Sequence, residues 1–272
     1  MHGPYVIVCR GHSGGRVLCE AFVRNHIAMG ELVPESWDTR FFAPAGNLRM
    51  QEIIRHAFDY PTLDSKGQDH YRDLLRHTLG AYIENHIADP EQPFGWKFGA
   101  SVFAVPVILD TYPSARVVHL IRDGRDVMLS RLDARFGERF TEPFNKVMIF
   151  GTPDVSHYRG RPLDATTVAA FREELELLHW VTAVEYGLRG RAYPDRYLEV
   201  KYEALCREPV RVFGRIFSFL QVPFEPQVRE RLAGMVHSSR IGKWRGLPAE
   251  RLARAYEIGG PLLKKLGYLS DD

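Results

Sequence analysis

A chain of 272 residues, 45% hydrophobic and 26% charged, carries enough apolar material for a sizeable core and is long for one domain. Its 36 Lys and Arg against 34 Asp and Glu leave a formal charge of +2, which argues against bulk electrostatic binding of nucleic acid. No stretch is apolar for long enough to span a bilayer, and the apolar run at residues 5–9 is too short for a signal peptide. Cys9, Cys19 and Cys206 lack metal-ligand spacing, so the expectation is a soluble cytoplasmic protein with reduced thiols.

Tyr5 to Cys9 reads as a buried parallel strand running into glycine, and Val17, Leu18, Ala21, Phe22 and Ile27 follow at helical spacing until Gly30. Residues 31–68, rich in Pro, Gly and aromatics, read as loop with short helix. Tyr71, Leu74, Leu75, Thr78, Leu79, Tyr82, Ile83 and Ile87 mark an amphipathic helix over 69–88. RVVHLIRD (116–123) is a second buried strand, and GRDVMLSRL continues from it as a helix. The segment 137–163 reads as a long loop, 165–188 as one long helix, 196–205 as a strand turning into a helix, and 210–220 as an amphipathic helix. Strands alternating with helices predict a single α/β domain over 1–272 with a mostly parallel sheet covered on both faces. Ligands in such folds sit at the carboxyl ends of the strands.

The first strand ends in CRGHSGGRV. Backbone N–H groups in a glycine-rich turn, aimed by a helix N-terminus, form a concave anion site. Gly11, Gly14 and Gly15 admit an oxyanion close to the backbone, Ser13 adds a hydroxyl, and Arg10, His12 and Arg16 add positive charge before Val17. A tight strand-to-helix turn without a ligand accounts for the glycines equally well. Arg16-Val17 stands where a nucleoside triphosphate loop carries Lys-Ser/Thr, which disfavours a magnesium-nucleotide site.

HLIRDGRDVMLSRL is more specific. Arg122 lies at a strand end and Ser130 eight positions on in the following helix, so a guanidinium fork and a hydroxyl converge on one tetrahedral oxyanion. Asp123 and Asp126 sit at the helix start, where they cap the helix and brace the arginines. A surface ion-pair ladder would explain the charges, but not their place between a buried strand and a serine.

Residues 122–130 match throughout the Arg-Asp-x-Arg-Asp-x-x-x-Ser pattern, and here the chain resembles sulfotransferases that use 3′-phosphoadenosine 5′-phosphosulfate (PAPS). GHSGGRVL resembles their 5′-phosphosulfate loop at Ser13 and Gly14, departing from it at His12, Gly15 and Arg16. KYEALCREPVRVFGRIFSFLQVPF (201–224) resembles their Tyr-Glu-Asp-Leu segment, with Ala204 where Asp is usual. The stretch 238–268 resembles their Gly-x-Trp-Arg loop and closing helix. The resemblance implies a P-loop NTPase-like three-layer α/β fold with helical insertions. It further implies sulfuryl transfer from PAPS to a hydroxyl or amine, with 3′-phosphoadenosine 5′-phosphate (PAP) as product and no metal. Arg122 and Ser130 would hold the 3′-phosphate, residues 11–17 the 5′-phosphosulfate, and Tyr202 would lie near the adenine. Arg240, Gly242 and Trp244 would close over the cofactor.

In-line transfer places growing charge on the bridging oxygen of the leaving phosphate, where a preorganised donor contributes about 3–4 kcal/mol. His12 stands at the position the family fills with Lys or Arg, so Arg16 or Lys97, in FGWKFGAS, shares the task; a surface lysine snorkelling over apolar neighbours is the alternative for Lys97. A histidine donor, whose ordinary pKa is ~6.5, predicts activity lost as the imidazolium deprotonates. The acceptor must shed a proton to a carboxylate or histidine; GELVPESWD offers Glu31, Glu35 and Asp38, of which the offset from the loop favours Glu35. His119, inside an apolar strand, reads as a satisfied core histidine. Trp37, Phe41, Phe42, Phe136, Phe144 and Phe150 line an acceptor pocket or belong to the core. The partners expected are a small-molecule, glycan or lipid acceptor, with no nucleic acid and no membrane span, and with a homodimer left open. Two alternatives remain: a P-loop-type small-molecule kinase, which needs the missing Lys-Ser/Thr, and a non-catalytic nucleotide-binding protein.

Overall fold

The structure is a computed structural model that describes residues 3–42, 47–89, 91–134, 140–236 and 238–269. In chain order its elements begin with β1 (Tyr5–Cys9), α1 (Gly15–Arg24), α2 (Leu48–His56), α3 (Ser65–His86), β2 (Gly95–Lys97) and α4 (Val105–Thr111). There follow β3 (Arg116–Ile121), α5 (Gly124–Asp133), α6 (Pro143–Phe150), β4 (His157–Tyr158), β5 (Arg161–Pro162), α7 (Ala165–Ala170) and α8 (Arg172–Gly187). The chain closes with β6 (Tyr197–Lys201), α9 (Tyr202–Arg207), α10 (Pro209–Leu220), α11 (Pro226–Met235) and α12 (Ala249–Lys265). Two compact units are interleaved along the sequence: residues 1–121 with 186–238, and residues 122–185 with 239–272.

The first unit is built on a four-stranded sheet in the order β2-β1-β3-β6, every pair parallel. All five residues of β1 and the last five of β3 are buried, so both faces of the central strands are covered, as a parallel sheet requires. α1 presents Leu18 and Phe22 to the core, and the Phe22 ring lies 6.0 Å from Phe217 of α10. α2, α3 and α4 form a second packed group, α3 being capped by Asp64, whose side chain accepts the Gly67 N–H at 2.8 Å. Because the strands are parallel, Cys9, Lys97 and Lys201 all lie at the carboxyl end of the sheet; β1 has neighbours on both sides, so the chain reverses its winding there.

The second unit holds α5 to α7, most of α8, a two-stranded antiparallel hairpin and α12. Its core gathers Phe140, Ile149, Leu163, Val168 and Leu175, with Phe150, Phe171 and Tyr158 packed against them.

Several expectations need correction. The segment 137–163 is not loop throughout: PFNKVMIF folds as α6, started by Pro143 at its first turn and stopped by Gly151 at φ 78°, and the β4–β5 hairpin follows. The long helix expected at 165–188 is two, because the chain breaks at Phe171, whose carbonyl then accepts the Leu175 N–H as α8 begins. β2 and α4 have no local signature, since three residues show no period and VPVIL is a short continuous apolar run that strand and helix share. Phe42 is core, its ring 4.9 Å from both Tyr82 and Trp96; Phe136 lies outside the described residues. Among the described residues no helix is long and apolar enough to cross a membrane.

Candidate functional site

In the first unit the chain leaves β1 at Arg10 and makes the turn by putting His12 at φ 72° and Gly14 at φ 94°. The Ser13 N–H returns to the Arg10 carbonyl at 3.1 Å, and Gly14 is the N-cap of α1 with no side-chain cap. A helix start without a side-chain cap leaves first-turn N–H groups open to a ligand, although here the Val17 N–H donates to the Gly14 carbonyl at 3.1 Å. The Ser13 hydroxyl is 1% exposed and has no hydrogen-bond partner among the described residues. A buried polar atom of that kind costs free energy unless something meets it. Arg10 is buried beside the loop and Arg16 is exposed, its guanidinium donating to the Glu35 carbonyl. These features fit an oxyanion at the start of α1.

Lys97, at the end of β2, brings its side chain to the same place. A Cβ on Gly15 would stand 3.0 Å from Lys97 Cε and 2.8 Å from Cys9 Sγ, so the absence of a side chain there makes the cradle. Lys97 is 6% exposed and donates from Nζ to the Ser36 carbonyl at 2.7 Å and to Asp38 Oδ1 at 2.9 Å. It is therefore no snorkelling surface lysine. An ammonium has three donors, and among the described residues two are taken.

Of the three carboxylates in GELVPESWD, Asp38 is the one joined to Lys97; Glu31 pairs with Arg40 at 2.6 Å, and Glu35 is exposed. Tyr202, first residue of α9, lies against the loop: a Cβ on Gly14 would be 2.5 Å from its ring. Burial pushes the Cys9 thiol up to about 11 and Cys19 to about 12, so both stay protonated at neutral pH.

The second unit carries the other cluster. Asp123 is the N-cap of α5, accepting the Arg125 N–H at 2.9 Å and both Nε and Nη2 of the Arg125 side chain. Arg122 donates from Nη2 to the Arg240 carbonyl at 2.5 Å. Asp126 does not chiefly brace an arginine, as its place in the pattern suggested; Arg122 is 3.9 Å away, and its carboxylate instead accepts the N–H groups of Gly242 and Trp244. The Arg125 guanidinium lies 3.4 Å above the Trp244 ring. Arg122, Arg240, Gly242 and Trp244 are thus one connected group, while Ser130 stands two turns further along α5.

A family model described as the sulfotransferase family matches residues 31–226, nearly three-quarters of the chain. The chain belongs to the sulfotransferase family. Among curated relatives, this family member is 27% identical to mouse carbohydrate sulfotransferase 3 over 61% of its length and 36% of that protein's. It is 25% identical to human carbohydrate sulfotransferase 5, over 60% of its own length and 42% of that protein's. It therefore spans well under half the length of the curated relatives it matches. Among solved structures, the sulfotransferase domain from the curacin biosynthetic pathway superposes with a TM-score of 0.54 at 16% identity, covering 96% of this chain and 97% of that one. A mouse sulfotransferase complexed with PAP gives 0.51 at 11% identity, over 97% and 85%. At such identities these two likenesses establish the fold, an α/β sheet of the sulfotransferase type. The family match takes in Lys97 and 122–130 but neither the first loop nor the Arg240–Trp244 strap, so the sequence departures at His12, Gly15 and Arg16 fall outside it.

Proposed function

We propose that this protein transfers a sulfuryl group from PAPS to a hydroxyl of a carbohydrate-class acceptor, releasing PAP. The observation that carries the donor assignment is the 122–130 run, complete in sequence and fastened to the strap through Arg122 and Arg240. The uncapped start of α1 with its buried Ser13 hydroxyl supports a second anion site, for the 5′-phosphosulfate. The acceptor class rests on the names of the curated relatives, carbohydrate sulfotransferases 3 and 5. Both units are read as one sulfotransferase domain over 1–272, since a single such domain covers 96% of the chain.

Bound PAPS supplies the sulfuryl group and a phosphate leaving group. Gly11, Ser13, Gly14, Gly15, Arg16 and Val17 form the turn that holds the donor's 5′ end, through the Ser13 hydroxyl, the Arg16 charge and the N–H groups not taken by the Arg10 and Gly14 carbonyls. Lys97 donates its third N–H to the phosphate oxygen on which negative charge grows as the S–O bond breaks, with His12 assisting from the loop. Asp38, held on Lys97 at 2.9 Å, takes the proton from the acceptor hydroxyl as its oxygen bonds to sulfur. Glu35 is the second reading for the base, because Arg16 grips its carbonyl and keeps that residue beside the loop. Arg122 and Ser130 hold the 3′-phosphate, Tyr202 flanks the adenine, and Arg240, Gly242 and Trp244 cover the nucleotide.

Calorimetric titration with PAP and with ADP, both without magnesium, tests the reading. Tight PAP, much weaker ADP, and a preference blunted by Arg122→Ala and by Ser130→Ala are expected. Equal affinity for the two nucleotides, or a preference for magnesium-ATP, overturns it.

A further inference from the structure

The strap has an unusual support. Residues Lys243–Gly246 form a short 3₁₀ turn whose N-cap, Gly242 at φ 75°, offers no side chain to cap it. The opening N–H groups of such a turn need an acceptor. Asp126 provides it from α5: Oδ2 accepts the Gly242 N–H at 2.7 Å and Oδ1 the Trp244 N–H at 3.2 Å. Asp126 is 2% exposed, and a buried carboxylate is tolerated only where its lone pairs are spent in this way.

The neighbouring residues fasten the rest of the segment. Arg125, fully buried, stacks 3.4 Å over the Trp244 ring while Asp123, the Tyr256 hydroxyl at 3.3 Å and the Tyr268 carbonyl at 3.0 Å fix its guanidinium. Arg122 holds the Arg240 carbonyl. Alternate strap residues 240, 242 and 244 are each tied to the start of α5 by bonds between protein groups alone. Meanwhile Arg240, Lys243 and Arg245 remain exposed, so the strap presents positive charge while its backbone is held from beneath.

We infer that Asp126 is a positioning residue: it sets the 240–246 strap in its phosphate-reading conformation before the donor arrives, so that the second Arg-Asp of the run builds the site whose first Arg grips the ligand. The inference rests on the PAPS reading above. Preorganisation of this kind raises affinity by removing the cost of ordering a loop on binding. Its effect is confined to ligands that carry a 3′-phosphate.

The test compares PAP with ADP, which lacks that phosphate, on the wild type, Asp126→Ala and Asp126→Asn. Two charge-assisted hydrogen bonds are lost in Asp126→Ala, so PAP affinity is expected to fall by about tenfold or more. ADP affinity is expected to stay within about twofold, and the KM for PAPS to rise while kcat at saturating donor is kept. Asp126→Asn falls between, since its amide oxygen serves one N–H and its NH₂ opposes the other. A wild type that binds PAP and ADP alike overturns the donor reading itself. A wild type that prefers PAP, with Asp126→Ala keeping the same preference, overturns the strap role alone. Amide exchange on the ligand-free wild type decides the matter even if the variants do not fold: Gly242 and Trp244 are expected to be protected, and exchange at the rate of an open peptide overturns the inference.

Discussion

Asp38 and Lys97 are 59 residues apart in sequence and form a contact of 2.9 Å, with side chains 24% and 7% exposed. In the proposed mechanism the pair divides two tasks: the carboxylate accepts a proton and the ammonium offsets charge on a leaving oxygen. Asp38→Asn is expected to lower kcat by about 10²–10³-fold and to leave the PAP dissociation constant within about twofold. Glu35→Gln should stay within about threefold of the wild type. Single-turnover rates with a saturating carbohydrate acceptor measure both, and a reversal of the two effects moves the base to Glu35.

Lys97→Met separates donor stabilisation from binding. Removing one preorganised donor at a developing anion costs about 10²–10³-fold in rate. The expected result is that loss in kcat with acceptor KM nearly unchanged. If KM for PAPS rises and kcat holds, Lys97 binds the ground state and the leaving-group role falls to His12.

Gly14 occupies a backbone position that L-residues adopt at a cost, φ 94°, and its missing side chain leaves room for the Tyr202 ring 2.5 Å from where a Cβ would be. Gly14→Ala therefore strains the loop and pushes the ring aside together. A stability loss of about 1–3 kcal/mol is expected from the backbone alone. PAP and ADP should weaken in similar measure, because the loop is proposed to hold the 5′-phosphate that both carry. Paired denaturation and titration check this; a loss confined to PAP would place the loop at the other phosphate.

The parts of this site written in contiguous residues were legible. β1, the glycine turn and α1 follow one another within twenty residues, and β3 runs directly into Arg122 and α5, so period and motif coincide. Lys97 shows why the rest was not. Its position depends on β2, a three-residue strand that exists only because Tyr5, Val6 and Ile7 pair with Gly95, Trp96 and Lys97, ninety residues on. No local pattern signals a strand of that length. Asp38 is one of three carboxylates in GELVPESWD, and its contact with Lys97, on which its proposed role rests, is tertiary and not encoded by offset along the chain. Asp126 has the sequence signature of a helix-start charge, and nothing along the chain connects it with an amide 116 residues away.

The x of Arg-Asp-x-Arg-Asp is glycine here for a steric reason. A Cβ on Gly124 would lie 2.4 Å from Trp180 Cδ2, and the indole of Trp180 donates to the Arg122 carbonyl at 3.0 Å. The fully buried indole thus packs on the start of α5 and holds the backbone of Arg122, the arginine proposed to grip the 3′-phosphate. Gly124→Ala overpacks this contact, at a cost of about 1–3 kcal/mol. The second unit should melt earlier, and PAP selectivity should fall because Arg122 shifts with its carbonyl. Trp180→Phe, which keeps most of the packing and loses the hydrogen bond, should cost selectivity with a smaller loss of stability. Unchanged PAP preference in both variants would show that Arg122 is placed by other contacts.

His119 links the sheet to pH. It sits fully buried in β3 with Nδ1 2.6 Å from the Tyr197 hydroxyl, while Nε2 has no hydrogen-bond partner among the described residues, so only one ring nitrogen is satisfied as a core histidine should be. Burial drives its pKa down to about 4, with Glu199 opposing and Arg191 adding to the drop. An unfolded histidine titrates near ~6.5. Above that value neither state is charged and the folded protein has the full benefit. As pH falls below it the unfolded chain takes up a proton first, and stability drops by about 1.4 kcal/mol per pH unit until the folded ring protonates. The loss across that window is about 3 kcal/mol. His119→Gln, neutral throughout and still able to accept from Tyr197, should be less stable at pH 7 yet lose less between pH 6.5 and pH 4. Urea midpoints measured for both proteins across that range settle the point. Parallel curves would mean that the imidazole finds a proton acceptor in the fold and that acid sensitivity resides in the carboxylates.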